Sequence, residues 1–181
     1  MQISGSNGTV PIDICRDHYW IKRDFIVKQI AFENRTFFSK YERLNEKLSD
    51  ELISKHQLQN VTIAHSLIWP DGYVRYIAID YNGEEKEKFY HRLKPVLEEM
   101  RIDDYVLLDS KTEKHMHVYL HYKPMPLQDA VQLGKIISKK LEEKLDKTWR
   151  IYPSDTLPED YNILNLPYNT FVVHKPKTRT V

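Results

Sequence analysis

Cysteine occurs once, as Cys15, and glycine only five times in 181 residues. A single thiol excludes an internal disulfide framework and any cysteine-built zinc or iron–sulfur site. The scarce glycines form neither Gly-x-Gly-x-x-Gly nor the Walker lysine pattern, so a Gly-rich phosphate cradle is excluded too. No apolar run reaches the roughly 18 residues that a membrane helix needs, and no membrane partner is expected. Charge of one sign is also missing. Lys and Arg total 27 against 26 Asp and Glu, a net of +1. That is not the broad excess of a sequence-blind DNA coat, so any nucleic-acid role has to rest on a local patch. The chain does not open with a basic stretch followed by an apolar one. No secretion signal is therefore expected, and the expected location is cytoplasmic.

Aromatic residues are plentiful, with 12 Tyr, 6 Phe and 3 Trp, and apolar residues make up 41%. Such a chain is no disordered polymer. At this length roughly 70% of the unfolded surface is buried on folding, which gives a real core. One domain with an N-terminal extension is expected.

Periodicity divides the chain near residue 60. Asp17 reads as a cap for a helix with Ile21, Phe25 and Ile30 on its inner face. Leu44, Leu48 and Leu52 stand four apart and predict a second helix over 41–56. From Val61 the period changes. Runs over 61–69 and 73–81 flank Pro70-Asp71-Gly72 and predict a strand hairpin. Then follow a helix over 84–100, strands over 105–110 and 115–122, a helix from Pro126 to about Leu145, and a strand over 149–152. The Pro-rich stretch 153–181 reads as irregular and ends in the basic run His174-Lys175-Pro176-Lys177-Thr178-Arg179, whose lysines are candidates for a nucleic-acid backbone. The fold expected is α+β. It has a helical N-terminal segment over 1–60, and over 61–181 a strand hairpin leading into β-α-β-β-α-β, the RRM-like or ferredoxin-like palm order. Right-handed crossovers put its first and third strands at the centre of the sheet.

That topology gathers chemistry. The end of strand 73–81 meets the starts of strands 115–122 and 149–152, which brings Asp80, His115 and Arg150 together. Period two sends Ile77, Ile79, Met116, Val118 and Leu120 toward the helices. It sends Tyr76, Asp80, His115, His117, Tyr119, His121, Arg150 and Tyr152 to an open face. Imidazole and carboxylate suit a divalent metal. An ordinary solvated strand face is the plain alternative.

The stretch 73–168 resembles the archaeo-eukaryotic primase superfamily, especially its small prokaryotic primase-polymerase relatives. Tyr76-Ile77-Ala78-Ile79-Asp80 resembles the first motif, an apolar strand ending in a metal-binding Asp. Asp109 to Leu120 resembles the second, a small-residue turn leading to a strand histidine, with Ser and His on the triphosphate. Arg150-Ile151-Tyr152-Pro153 with Asn162-Ile163-Leu164-Asn165-Leu166-Pro167 resembles the third strand and the closing segment. The resemblance implies a nucleoside triphosphate ligand with Mg or Mn as cofactor, and single-stranded DNA or RNA as partner. Asp80 would hold the cation. Ser110, Lys111 and Lys114 would meet phosphates, with His115 or His117 hydrogen-bonding them and Arg150 supplying charge; Asn162 and Asn165 belong to the closing segment. Three departures separate it from the family. Asn82 and Arg150 stand where acids are usual, and Asn165 stands where an arginine is usual. The expected function is binding of a nucleotide or nucleic acid on a catalytically degenerate palm.

Two other resemblances stay open. His115-Met116-His117 resembles the His-hydrophobe-His core of the HUH endonucleases, which nick single-stranded DNA with one divalent metal and a tyrosine. A non-catalytic RRM-like module would stack bases on Tyr76, His117 and Tyr119.

Overall fold

The computed structural model describes residues 1–5 and 8–171. The basic run over 174–179 lies outside the described residues. In chain order the strands are β1 (Gln2–Gly5), β2 (Gly8–Pro11), β3 (Tyr19–Lys22), β4 (Lys28–Phe32), β5 (Arg35–Ser39) and β6 (Tyr41–Leu44). Helix α1 (Asp50–Gln57), β7 (Ile63–Ser66), β8 (Tyr73–Tyr81), α2 (Lys86–Glu99), β9 (Tyr105–Asp109), β10 (Met116–Pro126), α3 (Leu127–Glu142) and β11 (Trp149–Tyr152) follow. A single 3-10 turn (Glu159–Tyr161) leads to β12 (Ile163–Asn165) and β13 (Asn169–Thr170).

Between 73 and 152 the elements run β-α-β-β-α-β, as periodicity predicts. The sheet order is β11-β8-β10-β9-β13, and every adjacent pair is antiparallel. The fold is α+β. Ile77, Ile79, Met116, Val118 and Leu120 form one core with Phe89, Leu93, Val96 and Leu97 of α2 and Ala130, Ile137 and Leu141 of α3. Both helices therefore lie on one sheet face, held by burial worth about 25 cal/mol per Å² of apolar surface.

The opposite face is not open. A second sheet, β12-β7-β3-β6, covers it. Tyr76, Ala78, Tyr119 and Tyr152 from the first sheet share a second core with Tyr19, Leu48, Ile53, Ile63, Leu164 and Leu166. Tyr119 is fully buried and His117 is 2% exposed. Base stacking on Tyr76 and Tyr119 is therefore corrected: the second sheet covers both rings.

The helical segment expected over 1–60 is also corrected. Among its described residues six short strands occupy it, with one helix, α1, capped by Ser49, whose hydroxyl accepts from Leu52 N–H at 3.2 Å. Tyr19-Trp20-Ile21-Lys22 pairs with β6 on one side and β7 on the other, where its β-branched and aromatic side chains fit a pleated surface. Beyond it, β4 and β5 form a hairpin closed by Glu33 and Asn34, with Glu33 at φ 51°. Residue 60 marks no boundary in the second sheet, which takes β3 and β6 from before it and β7 and β12 from after it.

The hairpin expected over 61–81 is reduced to a turn. Trp69 N–H bonds Tyr73 C=O at 2.9 Å, and the residues before it peel away into the second sheet. All four β7 residues are buried, a demand that pairing with β8 alone does not meet. Between 153 and 171 the chain is more regular than expected, since β12 and β13 each join a sheet. Among the described residues no helix is long and apolar enough to cross a membrane.

Candidate functional site

Where the two sheets part at one end, a cleft of about 510 Å³ opens. Its floor is one cross-strand row. His117 on β10 and Arg150 on β11 both register with Asp80 on β8. His117 Nε2 lies 3.4 Å from Asp80 Oδ1. Burial alone would raise the Asp80 carboxyl. The hydrogen bond and charge of His117, the Asn82 amide and the Arg150 guanidinium outweigh it and hold the group below its ordinary value. Asp80 is thus an anion at neutral pH. His117 Nδ1 is buried with no hydrogen-bond partner among the described residues.

One wall is the turn before β10. Ser110, Lys111, Thr112 and His115 line it, and His115 N–H closes it on Thr112 C=O at 2.9 Å. The facing wall comes from the N-terminal strands and the last segment: Lys22, Phe38, Lys40, Tyr41, Asp160, Tyr161 and Asn165. Tyr41 donates to Asn165 Oδ1 at 2.7 Å, and burial pushes its hydroxyl up to about 12, so it stays protonated. Asp160 is held by Lys28 at 2.7 Å and by Trp20 Nε1 at 3.0 Å. Lys22, Lys111 and Arg150 have no carboxylate in ion-pair contact among the described residues, and Lys40 donates to the Asp24 carbonyl at 3.4 Å.

Of the residues singled out from sequence, Asp80, Ser110, Lys111, His115, His117, Arg150 and Asn165 line this cleft. Two do not. Lys114 turns away to pair with Glu84. Asn162 is buried and clamps a loop: its Oδ1 accepts from Ser154 N–H at 2.9 Å and its Nδ2 donates to Ser154 C=O at 2.6 Å. His121, expected on the same face, pairs with Asp104 at 2.7 Å near the other end of the strand. Sequence reasoning missed Lys22, Phe38, Lys40, Tyr41, Asp160 and Tyr161. The β-branched and aromatic run Thr36-Phe37-Phe38 is the signal that marks a strand there.

Among the described residues no group of three or more His, Cys, Asp or Glu side chains is set to hold a metal ion. Asp80 and His117 offer two donors. Of the two, the Asp80 carboxylate is the oxygen donor of the kind a magnesium or manganese ion would take.

A family model described as a domain of unknown function (DUF1882) matches residues 10–75. The match covers β3 to β7 and ends within β8, so it takes in the facing wall at Lys22 to Tyr41 and not Asp80, His117 or Arg150. No curated protein matches the chain.

Proposed function

We propose that this cleft binds a nucleotide through its phosphates, with the β8–β11 unit acting as a primase-like palm. The observation that carries the reading is the convergence of Ser110, Lys111, His115, His117 and Arg150 around Asp80, with Lys22 and Lys40 opposite. Four Lys and Arg side chains there meet two carboxylates, and Asp160 is already neutralised by Lys28. The surplus favours an anion, and the volume suits a small-molecule ligand. Guanidinium and ammonium groups give charge-assisted bonds to phosphate. Strand order and two helices on one face support the palm. Asp80 would hold the Mg or Mn ion that a triphosphate carries, which lowers the charge repulsion among the phosphates.

Template-dependent synthesis is not expected. Two-metal phosphoryl transfer needs several carboxylates, and Asn82 and Arg150 stand where acids would be. A second reading rests on both imidazoles of His115-Met116-His117 lining the cleft. Nicking by the HUH route needs a tyrosine nucleophile, and α3 carries none.

Thermal denaturation with each ribo- and deoxynucleoside triphosphate, with and without manganese, tests the proposal. At a concentration a hundredfold above Kd, binding stabilises by about 2.7 kcal/mol. A rise in Tm for at least one triphosphate is expected, with no primer synthesis and no nicking of single-stranded DNA in parallel assays. No shift at millimolar nucleotide overturns the reading. Nicking lost in His115→Ala and His117→Ala replaces it with the endonuclease one.

A further inference from the structure

β11 is an outer strand of its sheet, bonded to β8 on one side only. Alternation along an antiparallel pair fixes where its backbone groups point. Asn82 N–H donates to Thr148 C=O at 2.8 Å, and the two residues stand opposite each other in the same register. Arg150 and Tyr152 therefore exchange bonds with β8, and the N–H and C=O groups of Trp149 and Ile151 point away from it. Those groups have no other hydrogen-bond partner among the described residues. A second cleft, of about 520 Å³, lies at this edge. Trp149 and Ile151 line it with Val131 and Gly134 of α3, and Phe37 of β5 lines it too. Its lysines are committed, Lys135 to Asp155 at 2.7 Å and Lys147 to Glu142 at 2.8 Å. Arg35 and Arg150 also line it, and neither has a carboxylate in ion-pair contact among the described residues.

We propose that the free edge of β11 docks an extended peptide of a partner protein, which adds as an antiparallel strand and carries an acidic residue between two apolar ones. The free backbone groups of Trp149 and Ile151 supply its main-chain bonds, the usual source of affinity in strand addition. Peptide residues opposite Trp149 and Ile151 project on the α3 side, where Val131 and Gly134 line the cleft. The residue between them stands opposite Arg150, and a carboxylate there makes a favourable cross-strand pair. Charge rejects both alternatives that this chain itself offers. A second copy of β11, paired so that Trp149 of each meets Ile151 of the other, sets Arg150 directly opposite its own copy. Like charges so placed destabilise the pair. The run His174 to Arg179 is basic and would meet Arg35 and Arg150 with the same sign. Nothing in this pairing depends on what fills the first cleft.

The test titrates the full chain into a fluorescein-labelled peptide, Thr-Val-Glu-Val-Thr, and follows anisotropy. Saturable binding is expected. Changing the peptide's Glu to Gln should weaken it roughly tenfold, the scale of one lost charge-assisted contact. Arg150→Glu should reverse the preference, so that Thr-Val-Lys-Val-Thr binds more tightly than the glutamate peptide. Methylating the amide nitrogens of the two valines should abolish binding, because those amides face the Trp149 and Ile151 carbonyls. Methylating the glutamate amide, which faces away, should leave binding in place. Ile151→Pro removes an outward donor, a change that an edge strand tolerates, and should also abolish binding. If that variant does not fold, the methylated peptides still read the same bonds on the native chain. Equal effects of methylation at valine and at glutamate overturn the proposal, as does a glutamate peptide that binds Arg150→Glu as well as the native chain. A chain that ignores the peptide and sediments as a dimer has a second copy on this edge, and the proposal falls. Absence of binding by every peptide overturns it as well.

Discussion

His56 and His65 are neutral imidazoles sealed in the second core, and each is tied into the backbone or its neighbours. Ile63 N–H donates to His56 Nδ1 at 3.0 Å, which leaves the ring proton on Nε2 to donate to Leu166 C=O at 2.7 Å. His65 Nε2 meets the Tyr119 hydroxyl at 2.8 Å. Burial depresses the two rings to about 4 and about 3. The unfolded chain therefore takes up protons first as pH falls. Stability is full above about 6.5 and declines as pH drops toward 4. For His56 alone the loss is about 3 kcal/mol. Urea unfolding across that range should show the decline. His56→Ala should cost about 3 kcal/mol at neutral pH by orphaning both backbone groups, and it should flatten the slope. A pH-independent stability would contradict the neutral assignment. At this scale the sequence was only partly readable. Lys111 and Lys114 look equivalent in the chain, and only the position of Glu84 draws one of them away from the cleft.

The half from β8 to β11 was legible because its periods are clean. His115 to Tyr122 alternates without a break, and the stripe Leu127, Ala130, Val131, Gly134, Ile137, Leu141 has one helical reading. The N-terminal half misled through a coincidence of spacing. Leu44, Leu48 and Leu52 stand four apart, and all three do pack into the second core. They reach it from a strand, a loop and a helix in turn, because that core is assembled by β3, β7 and β12, which are far apart in sequence. Local spacing carries no trace of such partners. Within α3, Gly134 sets the approach of the helix to β11: an added Cβ would lie 3.0 Å from Ile151 Cγ2. Gly134→Val should force helix and strand apart and cost about 2 kcal/mol, read as a lower urea midpoint. An unchanged midpoint would mean that β11 yields freely.

On the scale of the whole molecule, two helices, the five-stranded sheet and the four-stranded sheet stack as three layers, and the site lies where the two sheets diverge. Half of its lining was legible as strand-end residues of one sheet. The facing wall was not, since it depends on a second sheet that the sequence disguises as helix. The arrangement turns a polar row, Asp80 with His117 and Arg150, into the floor of a basic cleft. Arg150 is exposed and stands in register with Asp80, whose carboxylate faces His117 Nε2 at 3.4 Å. A partly solvated charge of this kind adds little to stability, so replacing it isolates ligand binding. The most direct measurement is calorimetric titration of a nucleoside triphosphate, without metal and with manganese, into the native chain and Arg150→Glu. Metal-free binding by the native chain, weakened at least tenfold in Arg150→Glu with Tm little changed, is the predicted result. Equal metal-free binding by both forms, or no heat from either, would contradict the account.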